Sequence, residues 1–131
     1  MERKLVLTGI IKCKDEYLVV KRSKTDAFLP GAWEFPGGNI EDGELILNAF
    51  KREIFEEIGI NIDTNNVKLI NFYDKIKEKE TIYHYIELDF LIELKNKDIN
   101  IVLSQEHSDY TWVKADSDLL DEFIKNKIKN I

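Results

Sequence analysis

Glu53, Glu56 and Glu57 stand within five residues of one another in the stretch GELILNAFKREIFEEIGI, residues 43–60, with Gly59 just after them. At about 100° per residue, Glu57 falls about 40° to one side of Glu53 on a helical wheel and Glu56 about 60° to the other. The three carboxylates therefore share one helix face. Like charges three and four residues apart cost about 0.2–0.5 kcal/mol each. Carboxylates in a last turn also oppose the helix dipole, each by roughly 0.3–1 kcal/mol when exposed. A divalent cation would reverse the sign of every one of these terms. Oxygen ligands with neither Cys nor His nearby suit Mg2+ or Mn2+ rather than Zn2+, and Mg2+ shares its shell with phosphate oxygens. The cluster thus points toward phosphate chemistry. Spacing alone leaves a second reading equally open: a solvated face on which Arg52 pairs with Glu56 four residues later. On the metal reading, Glu57→Gln would leave the fold intact, or slightly more stable without metal.

The elements that must position this cluster follow from the apolar pattern. KLVLTGIIKC and YLVVKRS, joined by a polar turn, predict a β-hairpin. Residues 24–43 form a long connection holding both prolines and four of the six glycines, which marks a functional loop. From Glu44 to about Ile58 the spacing predicts a helix with Leu47, Phe50, Ile54 and Ile58 as its buried stripe. Asp42 is the expected N-cap, acidic residues near the start suit the dipole, and Gly59 suits the left-handed position past the end. VKLINFYDKIKE and TIYHYIELDFLIEL predict two long strands, YTWVK a shorter one, and DSDLLDEFIKNKIKNI a closing amphipathic helix. Strands before, between and after two helices give a mixed α/β fold.

The 131 residues are one domain's worth, 44% hydrophobic and 34% charged, as in a globular protein. The single cysteine, Cys13, cannot form an internal disulfide, which fits a reducing compartment and a buried strand position. No stretch approaches a membrane span or a signal peptide, so a cytoplasmic location is expected. The net charge of −6 argues against a nucleic-acid polymer as partner. It does not exclude an anionic small molecule bridged by cations.

These residues carry a family resemblance. Gly38, five residues, Glu44, seven residues and then REIFEEIGI match the Nudix box at every specified position, Arg52, Glu53, Glu56, Glu57 and Gly59 included. WEFPGG before the box resembles the MutT-like branch, and the likeness extends more loosely to EHSDYTWV. The resemblance implies a Nudix fold, a mixed β-sheet between helices, over residues 1–131 as a single domain. It implies a Mg2+- or Mn2+-dependent hydrolase of nucleoside diphosphates linked to another group. Glu53, Glu56 and Glu57 would bind metal with a backbone carbonyl of Gly37–Gly38. Arg52 would orient a carboxylate, and Glu44 would support the loop–helix junction near the substrate. Glu106 matches a further carboxylate by its distance before Trp112, and either Glu53 or Glu106 would take a water proton.

Lys21 and Arg22 follow the second strand as candidate phosphate contacts, Arg22 the stronger, and Phe28 is a candidate to stack on a base. MutT-like enzymes tend to carry a basic residue and a histidine where this chain has Ser23 and Phe28, so its phosphate contacts must differ. Trp33 is expected in the core, His84 in a structural or substrate-facing role, and His107 in a loop. Asn126 is a weak candidate for reading a base. The leading expectation is a MutT-like pyrophosphohydrolase turning (d)NTPs into monophosphate and pyrophosphate. ADP-ribose, other nucleoside diphosphate sugars and dinucleoside polyphosphates are the alternatives within the class. A non-catalytic nucleotide sensor is the alternative outside it.

Overall fold

The computed structural model describes residues 1–24 and 30–131. Its strands are β1 (Glu2–Cys13), β2 (Glu16–Arg22), β3 (Trp33–Glu34), β4 (Gly37–Asn39), β5 (Val67–Glu78), β6 (Ile82–Leu94) and β7 (His107–Lys114). The helices are α1 (Ile46–Ile58) and α2 (Glu122–Ile128). Along the sheet the order is β3-β2-β1-β6-β5, with β7 on β2 and β4 on β1. β1 and β6 run parallel along their whole length, from Glu2↔Tyr83 to Cys13↔Leu94, while the other pairs are antiparallel.

The hairpin expected at the N-terminus is present, turned through Lys14 at φ 56°. It is zipped only at Lys12↔Tyr17 and Cys13↔Glu16. Beyond that point β1 takes β4 as its neighbour and β2 takes β3, so the sheet forks. The long connection supplies the edges of this fork. Gly37 has to be glycine there, because a Cβ would overlap the carbonyl oxygen of Leu7.

Strand alternation sends Leu7, Ile11, Phe90 and Ile92 to one face, where they meet Ala49, Phe50, Ile54 and Ile58 of α1. Ile10, Val19 and Leu91 point to the other face and pack with Leu120, Ile124 and Ile128 in and beside α2. Cys13 is buried in β1, as expected.

Four details of the expected elements change. Helix α1 begins at Ile46 with Leu45 as its cap and no side-chain cap bond, so Asp42 is not the N-cap and the first turn holds no acid. The reason is local: Gly43 turns at φ +81°, and Glu44 is drawn back onto Arg52 instead of starting the helix. Leu47 is 41% exposed, and Ala49 takes its place in the buried stripe. The closing helix is shorter than its amphipathic pattern, since the Asp121 side chain caps it by accepting from the Ile124 N–H at 2.8 Å. Strand β7 starts three residues early, at His107. Gly59, by contrast, adopts the left-handed conformation (φ 74°, ψ 14°) that ends α1. No helix among the described residues is long and apolar enough to cross a membrane.

Candidate functional site

Arg52 organises the start of the site. Its Nε and Nη2 donate to the two oxygens of Glu44 at 2.8 and 2.7 Å, and Nη2 also donates to the Asn39 carbonyl at 3.1 Å. Its Nη1 reaches Glu53 at 2.9 Å and Glu56 at 3.1 Å. The bidentate arginine, with the Glu41 N–H, holds the Glu44 carboxyl down to about 2. Glu44 therefore fastens the loop to the helix, as its place in the box implies. Glu53 is different: burial pushes its carboxyl up, against the pull of Arg52. A Cβ on Gly38 would overlap the Glu53 carboxylate, so the absent side chain is what lets that group close on the loop backbone.

Glu57 is the buried member of the cluster, 8% exposed against 58% for the Glu56 side chain. The segment before β7 lies across the end of α1, where the Val102 and Ser104 N–H groups take the carbonyls of Ile58 and Glu57 at 2.9 and 3.0 Å. The Ser104 hydroxyl donates to Glu57 Oε2 at 3.1 Å. His107 Nδ1 lies 3.0 Å from the same oxygen, off the line of a good hydrogen bond, and its Nε2 is 2.9 Å from Glu34 Oε1. Burial would lower the His107 pKa, but the two carboxylates outweigh it and raise it to about 9. Glu34 also accepts from Arg22 Nη1 at 3.0 Å. A register shift between Lys21 and Arg22 puts Arg22 opposite His107, completing a line Arg22–Glu34–His107–Glu57.

The fork of the sheet opens into a cavity of about 550 Å3 whose lining includes Gly37, Gly38, Glu57, Glu106 and Arg22. These expected site residues are brought together. Glu53 adjoins the loop from behind Gly38, and Glu56 is turned outward on Arg52, with neither among the lining residues. No three acidic, His or Cys side chains among the described residues are gathered into a ready metal cluster. Lys21 does not line the cavity; its ammonium stands 5.8 Å from the Trp33 ring. Phe28 lies outside the described residues. Asn126 lines a separate depression beside β5, and His84 pairs with Asp74 at 2.6 Å on the sheet face away from the cavity.

His107 is the residue that sequence reasoning misplaced: it is buried at the head of β7, not in a loop. The strand begins three residues before YTWVK, and the register shift at Arg22 breaks the alternation that would have revealed His107 as an inward position. The electrostatic argument for the cluster also changes. Arg52 compensates Glu53 and Glu56, and an imidazolium compensates Glu57, so the helix end does not carry uncompensated repulsion. Glu57→Gln is therefore expected to cost stability, not add it, because it weakens the hold on a buried cation.

A NUDIX domain profile matches residues 3–129. The nucleoside triphosphatase NudI of Klebsiella pneumoniae (strain 342) is 32% identical over 88% of this chain and 85% of its own length. The protein of the same name from Escherichia coli O81 is also 32% identical with the same coverage. Among solved structures, a MutT NUDIX hydrolase from Burkholderia pseudomallei superposes with a TM-score of 0.81 at 21% identity, covering all of this chain and 99% of that one. A MutT protein from Methanosarcina mazei gives 0.73 at 21% identity over 98% of this chain and 91% of that one. These two structures establish the fold.

Proposed function

This chain belongs to the Nudix family, and on that premise we propose that it is a Mg2+- or Mn2+-dependent pyrophosphohydrolase converting nucleoside triphosphates to monophosphate and pyrophosphate. The observation that carries the reading is the convergence of Glu57, Glu106, Arg22 and the Gly37–Gly38 backbone on one cavity. The name those relatives carry, nucleoside triphosphatase, supports triphosphates over the diphosphate sugars. A chain of net charge −6 would act on free nucleotides in the cytoplasm and not on a nucleic-acid polymer.

Nudix enzymes generally use a divalent metal such as Mg2+ or Mn2+. The residues here fit one: the donors at the acidic end are all oxygen, from Glu57, Glu106, Glu53 and the loop backbone that Gly38 leaves bare. When bound, the metal neutralises charge on non-bridging phosphate oxygens and makes a water nucleophilic at neutral pH. The chain supplies the rest. Ser104 and His107 fix the rotamer of Glu57, and Arg52 restrains Glu53 and Glu56 until a stronger cation competes. Arg22, held by Glu34 at the cavity wall, places its guanidinium charge toward phosphate oxygens. Glu106, or Glu53 once released by Arg52, takes the proton of the attacking water.

Purified protein with Mg2+ and a panel of (d)NTPs, ADP-ribose and dinucleoside polyphosphates tests this, with products identified by phosphorus NMR. Equimolar monophosphate and pyrophosphate from triphosphates is the expected result. Turnover confined to ADP-ribose would overturn the substrate, and tight binding without turnover would overturn the catalytic reading.

A further inference from the structure

At the end of the cavity away from Glu57 the chemistry is of another kind. Tyr73 and Lys75 of β5 and Tyr85 and Glu87 of β6 alternate onto the same sheet face, and Phe123 and Lys127 of α2 cover them. Three strand spacings separate β4 from β5, roughly 14 Å, the scale on which a nucleoside reaches from its phosphates to its base. Both tyrosine hydroxyls donate to the same oxygen of Glu87, each at 2.8 Å. Lys127 bonds the other Glu87 oxygen and lies 3.5 Å from Asp89.

Beside the two phenols the knot holds two carboxyls, Glu87 and Asp89, and the single ammonium of Lys127. Asp89 is the carboxyl pushed up, by burial and then by Glu87, and its Oδ1 has no hydrogen-bond partner among the described residues. Burial also disfavours the charge on Glu87, but Asp89 and Lys127 outweigh it, so Glu87 stays ionised. Both phenols are raised out of reach of physiological pH, by burial and by Glu87. Each phenol proton is committed to Glu87, so toward a ligand in the cavity these two lining residues can offer their oxygens only as acceptors.

The donors at this end come from lysine. The ammoniums of Lys75 and Lys77 stand 5.8 and 3.9 Å from the centroid of the Tyr85 ring, and neither has a carboxylate partner among the described residues. Phe123, 51% exposed and set edge-on to Tyr73 at 5.8 Å, adds an aromatic ring beside them, with the Lys127 ammonium 4.9 Å from its centroid.

We propose that Tyr73, Tyr85, Lys75 and Lys77 read the base of the substrate and select a lactam edge. In such an edge a ring N–H donor lies beside a carbonyl oxygen, as in uracil, thymine, guanine and hypoxanthine. The carbonyl takes the lysine charge and the N–H meets a tyrosine oxygen that cannot donate. Adenine and cytosine present an amino group beside an unprotonated ring nitrogen. Their amino hydrogens would fall where the ammoniums stand, and their ring nitrogen would meet a phenol oxygen with no proton to give. This inference rests on the hydrolase reading for its orientation of substrate, with phosphates at Glu57 and base at Tyr85.

The test uses two isosteric pairs, ITP against ATP and UTP against CTP, with the full chain and Mg2+. The expected kcat/KM ratios favour the lactam member at least tenfold in both pairs. The double variant Tyr73→Phe/Tyr85→Phe, and separately Lys75→Met/Lys77→Met, should bring both ratios to within about threefold of unity. The two variants remove opposite halves of the contact, so one misfolding leaves the other informative. Ratios near unity or reversed in the wild type would overturn the proposal. If no triphosphate is turned over, the hydrolase reading fails instead. Equilibrium dialysis of the same four nucleotides then still decides base selection, equal affinities within each pair overturning it.

Discussion

The two faces of the sheet are covered differently, one by hydrocarbon and the other by hydrocarbon together with a buried polar knot. Beneath α1 the contact is hydrocarbon, with Phe50, Ile54 and Ile58 fully buried against Leu7, Ile11 and Phe90. Beneath α2 the apolar contact of Ile10, Val19 and Leu91 with Leu120, Ile124 and Ile128 gives way, toward the cavity, to a polar knot of Lys127, Glu87, Asp89 and two tyrosine hydroxyls. The dry face can only be filled, and it fixes α1 and its carboxylates as a rigid platform. The polar face can border a cavity, because its groups find partners among themselves without packing every space. The proposed phosphate end and base end of one cavity thus draw on different faces.

Breaking the platform's chemistry should have the largest effect. Glu57→Gln is expected to lower kcat roughly 10³-fold, about 4 kcal/mol of barrier. It should also reduce stability in urea by about 1–3 kcal/mol, through the weakened hold on His107. Unchanged stability would show that the His107 contact contributes nothing to the fold.

On the packing itself, Phe50→Ala is expected to cost about 3–5 kcal/mol, and the cost should be much the same in mild acid as at neutral pH. Lys127→Met on the other face should cost about 3 kcal/mol near neutrality, because it leaves Glu87 buried without its cation. That cost should shrink in acid, as the carboxylates protonate. Denaturant melts of both variants at two pH values sharpen the contrast, and parallel pH behaviour would erase it.

The smallest effect is the wild type's own pH dependence. Asp89 is raised in the fold from 3.8 to about 7, so between those values the folded state keeps a proton that the unfolded chain has lost. Its contribution is therefore complete below the unfolded pKa and is lost as pH rises through the folded one. Coupling to Glu87 and Lys127 keeps the change to about 1–2 kcal/mol. Asp89→Asn should flatten that part of the stability profile, measured by urea melts across the window.

The same contrast explains what could be read from the sequence. Apolar periodicity acts within one element, so α1, the hairpin and the long strands of residues 67–94 were legible to within a few residues. Glu44, Arg52, Glu53, Glu56 and Glu57 were legible because their spacing on one helix fixes their relative places. Contacts across the fold were not. His107 reaches Glu57 and Glu34 only because a register shift turns it opposite Arg22, and no local pattern encodes that. Nor does alternation along β5 and β6 say that Tyr73 and Tyr85 converge on Glu87. The cap of α1 was misread for a similar reason: Asp42 has the right side chain, but Arg52 pulls the preceding turn into another path.

On the proposed function, the cavity wall at Glu57 and Glu106 seats a divalent cation against the substrate's phosphates. Titration of the protein with Mn2+, followed by electron paramagnetic resonance with a non-hydrolysable triphosphate analogue present, tests it most directly. Saturable binding is expected in the wild type, lost in Glu57→Gln and weakened in Glu106→Gln. Mn2+ bound equally well by Glu57→Gln, or not bound by the wild type at all, would contradict it.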